Sequence, residues 1–228
     1  EPAVAAAERE AAEPGRGHPP TRSGESKRLG LVVELVPQDA AVRTRRTPGG
    51  IDAHTHISTL ANARYASAIL KADAYGLGAI PVARVLEPLE PWGYGVATIR
   101  EGLELRAAGI TRPVVVFTPL AADELADVRA AELTPSLSRA ETIARWRADG
   151  GGPWHLAIDT GMSRAGVRWD EIEGLKAAVA ECPPEGAYTH FHSAERNDAS
   201  RDTQEERFRE AVAALPQRPR VLHVENSA

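Results

Sequence analysis

One lysine in this chain stands where its amine could do chemistry. Lys71 ends an apolar run and precedes a glycine-rich turn, in the segment LKADAYGLG of residues 70–78. An amine with apolar neighbours is poorly solvated, so its ammonium form is disfavoured and the neutral nucleophile becomes accessible. A Schiff-base lysine needs these conditions. The segment therefore predicts covalent chemistry between Lys71 and a carbonyl compound.

Three further polar side chains could share a site with Lys71. Arg164 lies in DTGMSRAG (residues 159–166), His190 lies in YTHF and Ser227 lies in NSA. Each of them falls near the end of a segment with a strand pattern, and in a parallel barrel the functional groups lie at the carboxyl ends of the strands. Taken singly, each could be an ordinary surface or core residue. Together with Lys71 they predict one site at one mouth of a barrel.

The elements that would position these residues alternate between short apolar strands and amphipathic helices. Such alternation predicts an α/β fold with a parallel sheet and outer helices, and seven strands without a long interruption favour a (β/α)8 TIM-type barrel. A complete barrel needs about 250 residues, whereas about 160 residues carry the seven strands here. We therefore expect an incomplete barrel, the alternative being that an N-terminal strand at 29–36 supplies the eighth. The predicted strands are 68–72, 93–97, 113–117, 133–136, 154–159, 186–191 and 220–224.

Local signals predict where several helices begin. The segments SRAE at 138–141 and TQEE at 203–206 have the pattern of a capping box. Asp170 could cap the helix that follows it. After the second capping box, three apolar residues fall on one helical face. These residues are Phe208, Val212 and Leu215.

The composition excludes several classes of function. Hydrophobic residues make up 43% and charged residues 26% of the 228 residues, the net charge is −5, and no basic stripe is present. Nucleic-acid binding is therefore not expected. The apolar runs are too short to span a bilayer, so we expect no membrane association. The single cysteine, Cys182, cannot form an internal disulfide, which is consistent with a cytoplasmic location.

The first 61 residues differ from the rest of the chain. Residues 1–28 contain almost no large apolar side chain and are predicted to be disordered. Residues 29–61 form an atypical N-terminal segment. It contains the pair His54 and His56, which resembles the first metal-binding strand of hydantoinase-type amidohydrolases. Because no later set of ligands matches that family, we predict no metal site, and a metal-dependent cyclic-amide hydrolase remains the least favoured alternative.

The motifs taken together resemble the alanine racemase family. The lysine segment differs from the family's KADAYGHG only at Leu77, and residues 155–166 (HLAIDTGMSRAG) resemble its HLKxDTGMxRxG segment. YTHF at 188–191 and NSA at 226–228 resemble the family's corresponding segments in the same order. The resemblance covers about residues 62–228. It implies that this region is the N-terminal, pyridoxal-phosphate-binding barrel portion of such an enzyme.

The resemblance also implies a role for each site residue. Lys71 would form the Schiff base with pyridoxal 5'-phosphate and act as one of two bases on the substrate α-carbon. Tyr75 and Ser227 would hold the cofactor phosphate, and His190 would line the pyridine ring. Arg164 would orient the cofactor oxygen and the substrate carboxylate, a role that suits a guanidinium fork. The implied activity is interconversion of L- and D-alanine through an aldimine and an α-carbanion, in a homodimer.

Two departures from the family pattern qualify this expectation. Ala157 replaces a lysine that helps to position the arginine in many family members. The resemblance does not extend to the family's C-terminal β domain, which supplies the base on the opposite face of the substrate. We therefore expect an N-terminal fragment that binds the cofactor and lacks part of its acid–base equipment. The alternative is a non-catalytic pyridoxal-phosphate-binding barrel protein.

Overall fold

Seven parallel strands form the framework of this protein. The structure, a computed structural model, describes residues 33–34, 66–193 and 199–224. The strands are β1 (Val33–Glu34), β2 (Ala66–Ile69), β3 (Gly93–Val96), β4 (Val114–Val116), β5 (Thr134–Leu137), β6 (His155–Asp159), β7 (Val167–Arg168), β8 (Gly186–Thr189) and β9 (Val221–Val224). The helices are α1 (Ala79–Leu86), α2 (Ile99–Ala107), α3 (Leu125–Ala130), α4 (Ala140–Ala148), α5 (Lys176–Glu181) and α6 (Ser200–Ala213), with 3-10 turns at Glu87–Leu89 and Ile172–Leu175.

The sheet order confirms the predicted fold class. The strands follow the order β1-β2-β3-β4-β5-β6-β8-β9, and β7 pairs separately with β6. Every pair from β2 to β9 is parallel, and helices connect successive strands on the outside. All seven predicted strands are present, each within two or three residues of its predicted bounds. The result is an α/β fold with seven strands of an incomplete TIM-type barrel.

The short N-terminal strand does not complete the barrel. β1 pairs antiparallel with β2, with Val33 opposite Ser67 and Glu34 opposite Ala66. β1 also lies beside β9, but within the described residues these two strands share no ladder. A strand of a TIM barrel would run parallel to both neighbours. The described sheet therefore remains open between β9 and β2, as the sequence predicted.

The capping box occurs at a different helix from those predicted. The Thr98 side chain accepts the backbone N–H of Glu101, and the Glu101 carboxylate accepts the N–H of Thr98, which together cap α2. The two predicted boxes are wrong because α4 and α6 begin at other residues. Thr203 lies inside α6, where its hydroxyl donates to the Ala199 carbonyl four residues earlier. Asp170 pairs with Arg168 instead of capping a helix.

The helices bury the faces that their sequence patterns indicated. In α6 and the turn after it, Phe208, Val212 and Leu215 are all buried, which confirms the predicted face. These side chains belong to one apolar core between the sheet and the helices. Within the described residues, no helix combines the length and apolar character that crossing a membrane would require.

Candidate functional site

A cavity of about 400 Å3 opens at the carboxyl ends of the parallel strands. Lys71, Tyr75, Arg164 and His190 all line it, although they come from three distant parts of the chain. The wall also includes residues at or just beyond the ends of β2, β3, β4, β6, β8 and β9. This is the mouth at which barrel enzymes carry their functional groups. The predicted residue Ser227 lies outside the described residues.

Lys71 begins a helical turn that is left-handed. We call Lys71–Gly76 the lysine turn. Its residues 72–75 have φ between 51° and 57° and ψ between 33° and 49°, which is the left-handed region. For residues with a Cβ atom this conformation costs roughly 1–2 kcal/mol each, so a run of four must be held by its surroundings. The Asp73 carboxylate contributes at the end of the turn, where it accepts the N–H of Ala79 at 2.7 Å.

The amine of Lys71 lies at the wall of the cavity. Its side chain is half-buried, so it is less enclosed than the apolar run before it suggested. The Lys71 Nζ lies 5.7 Å from the centroid of the Tyr75 ring, a cation–π arrangement within the same turn. The left-handed conformation thus brings both side chains to one side, where they face the cavity.

The loop that carries Arg164 is fixed by the carboxylate that precedes it. Asp159 ends β6, and its Oδ1 accepts the N–H groups of Gly161 at 2.9 Å and Ser163 at 3.1 Å. Gly166 ends this loop with φ +106°, and a Cβ atom there would lie 2.8 Å from the Asp159 backbone nitrogen. Only glycine fits such a close approach. These constraints place the exposed guanidinium of Arg164 at the edge of the cavity.

A second set of contacts ties the same loop to β8 and α6. The Thr160 and Thr189 hydroxyls form a buried hydrogen bond of 2.8 Å between the ends of β6 and β8. Arg207 of α6 donates to the Thr160 carbonyl at 2.9 Å and lies over the Trp169 ring. The loop is therefore held from both sides, which pre-organises the position of Arg164.

Aromatic rings form the floor of the cavity. The Tyr188 ring stacks on His223 with centroids 4.9 Å apart and meets the edge of Phe117 at 5.0 Å. Below them, Nδ1 of His155 lies 2.8 Å from Nε2 of His223. Nε2 of His155 is buried and has no hydrogen-bond partner among the described residues. His155 must therefore donate from Nδ1, because the other tautomer would bury an unpaired N–H.

Burial sets the ionisation of these floor residues. It raises the pKa of the Tyr188 hydroxyl to about 12, an effect that Ser136 and then Arg164 partly offset. It lowers the pKa of His155 from 6.5 to about 3. Burial, and then the neighbouring His155, hold the pKa of His223 well below its ordinary value. The floor is therefore neutral at pH 7 and presents uncharged rings to the cavity.

The histidine pair makes the fold sensitive to acid. In the unfolded chain both imidazoles take up protons below about pH 6.5. In the folded protein the pKa of His155 is about 3 and that of His223 is well below 6.5. Because the unfolded state binds more protons in this window, the free energy of unfolding must fall as the pH falls. We expect a loss of about 2 kcal/mol between pH 6 and pH 5 from the pair.

Urea unfolding at a series of pH values measures this loss. The ring resonances of His155 and His223 provide the control, since in the folded protein they should not titrate between about pH 5 and 8. Histidine resonances from these positions with a midpoint near 6.5 would contradict the expectation.

Two other sequence predictions concern residues near or outside the site. Ala157 lines the cavity with its methyl group, at the position where the family motif has a lysine. His54 and His56 lie outside the described residues. Within the described part of the chain, no group of three or more His, Cys, Asp or Glu side chains is placed to hold a metal ion.

The site also contains residues that the sequence analysis did not single out. His155, His223, Phe117 and Tyr188 build the floor, and their role depends on contacts between different strands. Besides the segments at 155–166 and 188–191, the sequence signal for them is their position in predicted strands whose alternate residues point into the barrel. That signal places a residue inside the barrel without naming its partner.

Comparison with known proteins adds an independent line of evidence. The sequence model of the family described as alanine racemase, N-terminal domain, matches residues 54–228. An alanine racemase from Streptococcus pyogenes serotype M6 is 35% identical over 171 residues, which cover 71% of this chain and 46% of that protein. This chain thus spans about half the length of the curated relatives that it matches.

Solved structures agree with the sequence comparison. The alanine racemase from E. faecalis superposes with a TM-score of 0.62 and 30% identity, covering 68% of this chain and 45% of that one. An alanine racemase from Bartonella henselae with covalently bound pyridoxal phosphate gives a TM-score of 0.62 and 26% identity, covering 70% and 50%. The family match extends over more than half of the chain and includes every residue of the cavity wall. This chain belongs to the alanine racemase family.

Proposed function

We propose that this chain is the pyridoxal-phosphate-binding barrel of an alanine racemase, an isomerase that interconverts L- and D-alanine. The observation that carries the proposal is the convergence of Lys71, Tyr75, Arg164 and His190 on one cavity. We further propose that residues 62–228 form this barrel portion and that it acts in the cytoplasm within a homodimer. The alanine racemase relatives support these assignments.

The cavity suits pyridoxal 5'-phosphate in the chemistry of its donors. A primary amine can attach covalently to an aldehyde, and Lys71 presents one at the wall. The Tyr75 hydroxyl and the Arg164 guanidinium can donate hydrogen bonds to anionic oxygens. The neutral rings of Tyr188 and His223 offer an apolar floor to a flat aromatic ring. A volume of about 400 Å3 is sufficient for a ligand of this size.

Each residue has a distinct part in the proposed reaction. The bound cofactor supplies the electron sink that stabilises negative charge on the substrate α-carbon. The Lys71 amine would hold or release the α-proton on its own face of the substrate. Arg164 orients the substrate carboxylate and the cofactor oxygen with two donors in one plane. Tyr75 and Ser227 would hold the cofactor phosphate, and His190 would line the pyridine ring.

Exchange of the α-proton in deuterated water tests the proposed activity. The protein is incubated with pyridoxal 5'-phosphate and either L- or D-alanine, and deuterium at the α-carbon is measured by NMR. We expect deuterium incorporation faster than in an equal concentration of free pyridoxal 5'-phosphate. The Lys176→Ala variant should exchange the α-proton as fast as the wild type, because Lys176 pairs with Glu173 and does not line the cavity. Cofactor attachment without any exchange would assign the chain to non-catalytic cofactor binding and contradict the racemase activity.

A further inference from the structure

The Glu101 carboxylate joins the lysine turn to the end of a neighbouring strand. Its Oε1 accepts the backbone N–H of Ala72 at 2.7 Å. Its Oε2 accepts the N–H groups of Ala97 at 2.7 Å and Thr98 at 3.0 Å. The carboxylate thus binds three backbone donors, two just beyond β3 and one in the lysine turn. Hydrogen bonds to an ionised acceptor are about twice as strong as those between neutral groups.

The contact with Ala72 fixes the peptide plane that begins at the Lys71 carbonyl. That peptide nitrogen is the first of the left-handed run. Because the plane sets ψ of Lys71 and φ of Ala72, it also sets the direction in which the Lys71 side chain leaves the backbone. The contacts with Ala97 and Thr98 anchor the carboxylate to the sheet. Glu101 therefore fixes the position of the Lys71 amine relative to β3.

Helix capping alone does not account for this arrangement. A capping box needs only the reciprocal bonds between Thr98 and Glu101 at the start of α2. The bond to Ala72 spans 29 residues of sequence and contributes nothing to that helix. If Glu101 served only to cap α2, the backbone N–H of Ala72 would need a different acceptor.

We propose that Glu101 is a positioning residue for Lys71, which holds the lysine turn in its left-handed conformation and directs the amine into the cavity. This inference rests on the proposed function, since it assigns to Lys71 the covalent attachment of pyridoxal 5'-phosphate. Glu101 itself does not touch the cofactor or substrate in this role.

The test compares Glu101→Gln with two matched variants. Glu101→Gln removes the charge and replaces one acceptor oxygen by an amide that repels a backbone N–H. Thr98→Ala weakens the same helix cap but leaves the carboxylate on Ala72. Glu124→Gln weakens a similar contact that does not involve the lysine turn, in which the Ala121 N–H donates to the Glu124 carboxylate. Two quantities are measured: the rate of pyridoxal 5'-phosphate attachment to Lys71, and hydrogen exchange at the Ala72 amide.

We expect Glu101→Gln to slow attachment about tenfold and to speed exchange at Ala72 by a similar factor, because a charge-assisted hydrogen bond is lost. Thr98→Ala and Glu124→Gln should match the wild type in both. The attachment rate and the Ala72 exchange rate of each variant are compared with its loss of melting temperature. If Glu101→Gln and Thr98→Ala change both rates in the same proportion to that loss, the inference is overturned. If Glu101→Gln does not fold, Glu101→Asp, which withdraws the charge from Ala72, takes its place with the same expected result.

These two measurements separate the inference from the proposed function. If the wild type attaches no cofactor at Lys71, the proposed function fails. Hydrogen exchange at the Ala72 amide still reports on its bond to the Glu101 carboxylate. If the wild type attaches the cofactor and Glu101→Gln does so at the same rate, only the positioning role fails.

Discussion

The Lys71→Ala variant is expected to lose the specific covalent attachment of pyridoxal 5'-phosphate. Lys71 provides the primary amine at the cavity wall, and the chain has only two other lysines, Lys27 and Lys176. Alanine already occurs twice in the lysine turn, at residues 72 and 74, so the change introduces no new backbone demand there. Borohydride reduction followed by absorbance and mass measurement detects the attached cofactor. The variant should retain no more label than the unfolded protein.

The matched control is Lys176→Ala, which removes a lysine of similar partial exposure. Lys176 forms an ion pair with Glu173 at 2.5 Å at the start of α5 and does not line the cavity. This variant should attach as much cofactor as the wild type. The same absorbance band in Lys71→Ala as in the wild type would show that Lys71 is not the attachment site.

A second large effect is expected at Arg106, a residue with a structural role. Its guanidinium donates to four backbone carbonyls: Nε to Ala131 at 3.1 Å, and the terminal nitrogens to Ile110, Arg112 and Glu132 at 2.7–2.8 Å. Two of these carbonyls precede β4 and two precede β5. Arg106 thus closes the loops through which the chain enters two neighbouring strands.

The Arg106→Ala variant should lose at least about 3 kcal/mol of unfolding free energy. Hydrogen bonds to a charged donor contribute roughly 1.5–3 kcal/mol each, and their loss leaves carbonyls partly buried without a donor. Arg106→Lys should recover little of this, because an ammonium cannot reach four acceptors in one plane. Urea unfolding of both variants measures the losses.

Arg100→Ala provides the control for the arginine prediction. Arg100 lies on the same helix, but its pair with Glu104 is exposed and contributes at most about 0.5 kcal/mol. A loss in Arg106→Ala no larger than that in Arg100→Ala would contradict the structural role assigned to Arg106.

The sequence predicted the strands and their order well because their signal is local. Each strand is a short apolar run between turn residues, and β4, with three consecutive valines, is the clearest case. Parallel strands place their carboxyl ends at one edge, so the meeting of Lys71, Arg164 and His190 followed from the strand pattern alone. Helix starts were less predictable, because a segment such as TQEE can lie inside a helix as well as at its beginning.

The lysine turn could not be predicted from its own residues. The segment KADAY contains good helix formers, which favour a right-handed helix. The structure instead holds four of these residues in the left-handed region. The cause lies 29 residues away, in the carboxylate that accepts the Ala72 N–H. Local propensity carries no information about such a partner.

The histidine pair in the cavity floor shows the same limit. His155 and His223 are 68 residues apart in sequence. They meet because β6 and β9 flank β8, where Gly186 lies opposite His155 and has no side chain to separate the two rings. Their burial, and hence their lowered pKa values, arises from the closed packing around them. Sequence spacing identified the strands that carry them, but not the contact.

The central claim is that this cavity turns Lys71 into a specific attachment site for pyridoxal 5'-phosphate. The most direct measurement is to incubate the wild type with one equivalent of pyridoxal 5'-phosphate, reduce with borohydride, and map the label among its three lysines by mass spectrometry. We predict that Lys71 carries nearly all of the label in the folded protein and loses this preference in urea. Label shared among Lys27, Lys71 and Lys176 in the same proportions in folded and unfolded protein would contradict the claim.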